Sequence, residues 1–172
     1  MATDHAQIAA AQTDDARSVA ELITAYREGP ALLRSSLEGM DRAQLLARPV
    51  PGMMCTLEVV CHIADAEQYL ADRMKRTVAM DRPLLIGVDG WRYPQALSYA
   101  ERDLELDLAL VASTRAQMTA DLQRLHPQTW ERTAVHSETG LVTLRGLLLH
   151  AIRHLEAHVQ RIHEKRIVLG LE

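Results

Sequence analysis

Leu147-Leu-Leu-His150-Ala-Ile-Arg-His154-Leu-Glu-Ala-His158-Val-Gln-Arg-Ile162 places three histidines four residues apart inside an apolar run with helical spacing. With His150 set at zero on a helix turning 100° per residue, Leu147 falls near roughly 60°, Ala151 near 100°, Leu144 and Ile162 near 120° and Leu155 near 140°. His154, at roughly 40°, and His158, at roughly 80°, lie in or beside that apolar arc, whereas His150 is expected at its polar edge and His163 on the far side. Side chains at i and i+4 are stacked about 6 Å apart along the axis, so two imidazoles can reach one ion from the same side. His154 and His158 therefore form an inward pair. A third ligand must come from another helix, because one helix cannot close a tetrahedron around a metal.

The stretch Thr56-Leu-Glu-Val-Val-Cys-His-Ile-Ala-Asp-Ala-Glu67 supplies a candidate in His62, followed one turn later by the small Ala66. The apolar centre of this second helix runs through Val59, Ile63, Leu70 and Met74, with His62 on its flank and Glu67 roughly 50° from the centre. A carboxylate turned inward is costly unless it is partnered. Glu67 is therefore a candidate general base, or an orienter of a ligand histidine. Pairing with an arginine of a neighbouring helix would account for it equally well. The zinc-protease pattern HExxH is absent, since Glu156 sits two places after His154 and faces outward, and the chain has no ExxH pair of the di-iron type. A mononuclear site is what remains.

The rest of the chain is read as helix. Its 172 residues suit one domain, 48% are hydrophobic, only 3% are aromatic and Phe is absent, so Leu, Ala, Met and Val must build the core. Residues 1–14 are expected to be a frayed arm and 15–172 a single domain. Helices are expected over about Asp15–Met40, with a kink or break at Gly29-Pro30, then Thr56–Val78, Tyr99–Leu125 and Thr143–Lys165. Pro49-Val-Pro-Gly52 and Pro127–Gly140 read as connectors, and residues 79–98, with Pro83, Gly87, Gly90 and Pro94, read as a long crossover. The fold class is all-α, a four-helix bundle with the long crossover between the second and third helices. The net charge of -4, from 19 basic and 23 acidic residues, lacks the basic clusters that bind nucleic acid. Without a signal-peptide pattern or a long apolar run, a cytoplasmic protein with no membrane span is expected. Cys55 and Cys61 read as reduced packing or cap residues.

Pro49-Val-Pro-Gly52, Thr56 to Glu67, Leu85-Ile-Gly-Val-Asp-Gly-Trp91, Tyr99-Ala-Glu-Arg-Asp103, Val135-His136 before Gly140, and His150 to Ile162 occur here in an order that resembles the DinB-like superfamily of metal-binding four-helix bundles. The resemblance covers nearly the whole chain. It implies an up-down-down-up bundle, a homodimer, and a nickel or zinc ion on one histidine of the second helix and an HxxxH pair of the last. Those positions are His62, His154 and His158. Members of the family usually have Trp-Ser where this chain has Met54-Cys55, a departure that removes a Ser cap and a ring beside the site. Relatives implied by the resemblance include thiol-dependent S-transferases and a mycothiol-dependent isomerase. The expected function is accordingly a metal-dependent transferase or hydrolase that activates a low-molecular-weight thiol or water for a small-molecule substrate. A non-catalytic dimeric metal-binding or stress-related ligand-binding protein is the alternative. Asp89, Trp91 and His136, in the connectors, are the candidate substrate contacts.

Overall fold

The computed structural model describes residues 15–171; the expected arm at 1–14 lies outside them. Four long helices, α1 (Val19–Ser35), α3 (Thr56–Ala79), α5 (Leu104–Gln123) and α6 (Leu144–Val168), form the bundle, with short helices α2 (Arg42–Leu46) and α4 (Tyr93–Ala96) in the connections. α1 and α3 each pack against α5 and α6, while α1 with α3 and α5 with α6 barely touch and occupy the diagonals. The first two long helices, and the last two, thus stand across the bundle from each other, while α3 and α5, joined by the long crossover, are packed neighbours.

The helix starts follow local chemistry. Ser18 opens α1 with a capping box to Glu21, Asp103 opens α5 by accepting from Glu105 and Leu106 N–H, and Thr143 opens α6 by accepting from Gly146 N–H. At α3 the N-cap is Cys55, and Glu58 Oε2 accepts the Cys55 N–H at 2.9 Å. α1 is shorter than its pattern suggested: it begins at Val19 and ends at Ser35, ahead of a turn that includes Gly39 at φ +76°. No helix among the described residues is long and apolar enough to cross a membrane.

The connectors hold more order than their composition indicated. Residues 84–85 (β1), Thr133–His136 (β2) and Gly140–Thr143 (β3) form a small three-stranded sheet, β1 parallel to β2 and β2 antiparallel to β3. Strands this short carry no alternation that could be told from loop. The Arg132 side chain ties this end to the bundle by donating from Nε to Thr77 O at 2.9 Å.

The apolar core falls into two layers. One contains Leu22, Tyr26, Leu70, Met74, Met118, Leu122, Leu148 and Ile152; the other contains Leu33, Leu57, Val60, Ile63, Leu108, Val111, Leu155 and Ile162. On each helix the change of layer falls at or next to a polar or small residue: Gly29 on α1, Glu67 on α3, Arg115 on α5 and His154 on α6. These four positions make a polar belt across the middle of the bundle.

Arg115 is the centre of the belt and is 1% exposed. It donates from Nε to Glu67 Oε2 at 2.8 Å, from Nη2 to Ala151 O at 2.8 Å and from Nη1 to Tyr26 O at 3.1 Å, so one guanidinium touches all four helices. Its Cζ lies 4.4 Å from the centre of the Tyr26 ring, and Tyr26 Oη donates to Glu67 Oε1. The Gly29-Pro30 pair now has a reason. Pro30 lacks the N–H that would bond to Tyr26 O four residues back, and Arg115 supplies the missing donor. α1 therefore continues through Pro30 without the expected break. A Cβ on Gly29 would come within 2.1 Å of Arg115 Nη1 and 3.4 Å of Leu155 Cδ1. Gly29→Ala is expected to lose about 1–3 kcal/mol of stability despite the better helix propensity of alanine, read from denaturant midpoints.

Candidate metal centre

At the α6 end of the belt, His154 meets two further histidine rings. One ligand atom from each of His62, His154 and His158 lies within 4.8 Å of the others. His62 Nε2 is 3.1 Å from His154 Nε2, and the ring centres are 5.1 Å apart for His62 and His154, 4.7 Å for His62 and His158 and 4.6 Å for His154 and His158. α3 contributes the first and α6 the pair, so the cluster exists only because these helices are packed neighbours.

The chemistry of the donors fits a divalent ion. Two nitrogens bound at 2.0–2.1 Å in tetrahedral directions stand about 3.3 Å apart, close to the 3.1 Å between the Nε2 atoms. His158 Nδ1 is buried with no hydrogen-bond partner, which costs about 1–3 kcal/mol in a ring kept only for its hydrogen bonds. Metal ligation by that ring would offset the cost. Burial, and after it the neighbouring His158 and His62, holds His154 well below the usual histidine range; burial, then His62 and Arg161, does the same for His158. Both are therefore neutral at pH 7, with nitrogen lone pairs available.

The remaining candidates occupy different surroundings. Trp91, half exposed, stacks over His62 with ring centres 6.3 Å apart and planes 21° from parallel. Gly90 permits that approach, since a Cβ there would stand 3.3 Å from His62 Cε1. Asp89, two residues earlier, accepts from Arg92 Nε at 3.0 Å on the exposed side of the crossover. His136 lies buried in β2, its Nδ1 accepting Glu138 N–H at 3.3 Å, and is not a member of the converging cluster. Glu67 is buried, with one oxygen accepting from Tyr26 and the other from Arg115. His150 is buried at 1% exposure with its ring 6.1 Å from that of His154, not at a polar edge as the helical wheel suggested. α6 buries nearly its whole circumference in this region because α1, α3 and strand β3 surround it, and a wheel drawn on one apolar arc misses that.

Two features escaped the sequence reading. Arg115 has no local signal, since an arginine on an amphipathic helix is ordinarily solvent-facing. The other is a cavity of about 490 Å³ lined by Met53, Met54, Val59, Arg161 and Lys165 and bordered by Trp91, the ring that stacks on His62.

Comparison with known proteins identifies the fold and the family. YfiT of Bacillus subtilis is 27% identical over 143 residues, covering 83% of this chain and 80% of its own. A relative from Oceanobacillus iheyensis, which like YfiT carries the provisional name of metal-dependent hydrolase, is 22% identical over 149 residues, covering 85% and 86%. The solved structure of YfiT, reported as "a probable metal-dependent hydrolase with an unusual four-helix bundle topology", matches with a TM-score of 0.85 at 24% identity over 92% of this chain and 91% of that one. The mycothiol-dependent maleylpyruvate isomerase shares the fold, with a TM-score of 0.66 at 15% identity over 93% of this chain and 62% of its own. A model of the DinB superfamily matches residues 25–162, which include all three histidines and the buried arginine that joins the helices. The chain belongs to the DinB superfamily.

Proposed function

We propose that this protein is a metal-dependent transferase or hydrolase whose nickel or zinc ion is held by His62, His154 and His158 and which activates a low-molecular-weight thiol or water. The observation that carries the reading is the convergence of three imidazoles, two of them kept neutral by burial, with only side-chain nitrogens as donors. Such an ion, when bound, supplies Lewis acidity that brings water or a thiol to its nucleophilic form near neutral pH. Three protein ligands in place of four leave room for a small molecule, as in catalytic rather than structural zinc sites.

The protein side chains then divide the remaining work. His154 and His158 approach from one helix and His62 from another, so the packing of α3 on α6 sets the ligand geometry. Glu67 acts as a positioning residue: both its oxygens are already engaged, and its bond to Arg115 couples α3 to α5 and, through Ala151 O, to α6. Trp91 covers His62 and limits water on that side.

The test is turnover by the metal-loaded protein, with a panel of thiols plus an alkylating electrophile in one series and an activated ester in the other. Loss of thiol or hydrolysis of ester that stops on chelation and returns with added metal is expected. Full metal content without turnover in either series would overturn the catalytic reading in favour of a metal-stapled binding protein. Glu67→Gln, which keeps an acceptor for Tyr26, is expected to lower kcat less than about tenfold while lowering the thermal midpoint. A loss of 10²–10⁴-fold at unchanged stability would instead make Glu67 a general base.

A further inference from the structure

The cavity beside the centre carries more positive charge than it neutralises. Lys165 is 3% exposed, and its ammonium donates one hydrogen bond, to Arg161 O at 3.3 Å, leaving two N–H donors. Arg161, half-buried one turn earlier, forms no ion pair among the described residues, and neither does Lys165. The carboxylate of the lining, Glu58, is fully occupied: Oε1 accepts from Arg48 at 2.6 Å and Oε2 from Cys55 N–H at 2.9 Å. A buried ammonium without a counter-charge is costly, and the cost falls when an anion binds.

The other walls are mostly apolar, with Met53, Met54, Val59 and Pro94 along the sides, Gln95 as a neutral polar group and Trp91 at the border with His62. Three residues of helix separate His158 from Arg161 and seven separate it from Lys165, a rise of about 4.5 Å and about 10 Å. An apolar stem could lie along that distance with its charged end on the two cations.

We propose that this cavity is the binding site for the oxyanion end of an elongated small molecule, its carboxylate or phosphate held by Lys165 and Arg161 and its apolar stem leading past Trp91 to the three histidines. The proposal rests on the reading of those histidines as the reacting end. Arg161 offers a planar fork to an oxyanion and Lys165 a point charge from the cavity wall. Glu58, already committed to Arg48 and the α3 cap, does not compete.

The test uses cobalt-loaded full-length protein and three probes: 6-mercaptohexanoate, 6-mercaptohexanol and hexanoate. Thiol binding is read from the thiolate-to-cobalt absorption band. Hexanoate binding is read by calorimetry, with the cobalt band showing that the carboxylate is not on the ion. The mercapto acid is expected to bind at least about tenfold more tightly than the mercapto alcohol, the factor that one charge-assisted contact of about 1.4 kcal/mol produces. Lys165→Met should remove that preference without changing the cobalt spectrum or the affinity for the alcohol. Arg161→Gln, at a half-buried position, gives the same readout should Lys165→Met unfold. Equal affinity of acid and alcohol in the wild type, with no hexanoate binding, would overturn the proposal and leave thiol activation standing. Hexanoate binding that the variants lose, with neither thiol giving a cobalt band, would support the anion site and sink the thiol reading. Binding of none of the probes would overturn both.

Discussion

Arg115→Met is expected to remove about 3–5 kcal/mol of stability, because it leaves the Glu67 carboxylate buried without its cation and Tyr26 O without its donor. Each kcal/mol shifts the melting temperature by roughly 2–4 °C in a domain of this size, so a drop of about 6–20 °C should be seen. Tyr26→Phe removes one hydrogen bond from the same cluster and should cost nearer 1 kcal/mol, or somewhat more because the bond is to a charged group. The double variant Arg115→Met with Glu67→Leu removes both charges. It should recover part of the loss, since a buried ion pair replaced by apolar groups of similar size is often neutral or stabilising. A double variant no more stable than Arg115→Met alone would mean that the arginine acts through packing and its backbone acceptors rather than through the pair. Thermal and urea unfolding of the four proteins decide this.

His154→Ala and His158→Ala are each expected to reduce bound nickel or zinc from about one ion per chain to a trace, measured by elemental analysis after gel filtration. The affinity loss should exceed the 10–100-fold that removal of an outer partner costs at metal sites. His150→Ala, outside the converging cluster, should keep its metal. Retention of a full complement by either ligand variant would refute the assignment.

The same two rings set a pH dependence in the metal-free protein. Burial lowers both histidines in the fold relative to about 6.5 in the unfolded chain. Below pH 6.5 the unfolded state then binds more protons than the folded one, and stability falls with falling pH by up to about 1.4 kcal/mol per pH unit for each ring. The decline should begin near pH 6.5 and flatten once pH passes below the lowered folded-state values. It should be halved in His158→Ala.

Much of the site was legible in the chain. The i, i+4 spacing of His154 and His158 on an apolar arc, and a third histidine on another amphipathic helix, follow from helical geometry alone, because 3.6 residues per turn puts the pair on one face whatever the surroundings. The misreadings have a common cause. The wheel puts His150 at a polar edge, Gly29-Pro30 predicts a kink or break, and Pro127–Gly140 reads as a connector. Each depends on what packs against the segment from a distant part of the chain: the full enclosure of α6, the guanidinium of Arg115, and the pairing of β2 with β1 and β3.

Glu67 shows the division most clearly. Its inward direction was set by its place on the second helix, and the cost of burying a carboxylate made some partner necessary. Which partner it would find was decided by the bundle topology, which brings Arg115 to it from α5 and Tyr26 from α1. The sequence by itself thus determined four helices, their inward faces and the three histidines able to face a common ion, all consequences of local periodicity. Only the tertiary structure decided that Arg115 would join the four helices, that Trp91 would cover His62, and that Lys165 and Arg161 would border a cavity without a counter-charge. Those are contacts between residues far apart in the chain, and no local rule encodes them.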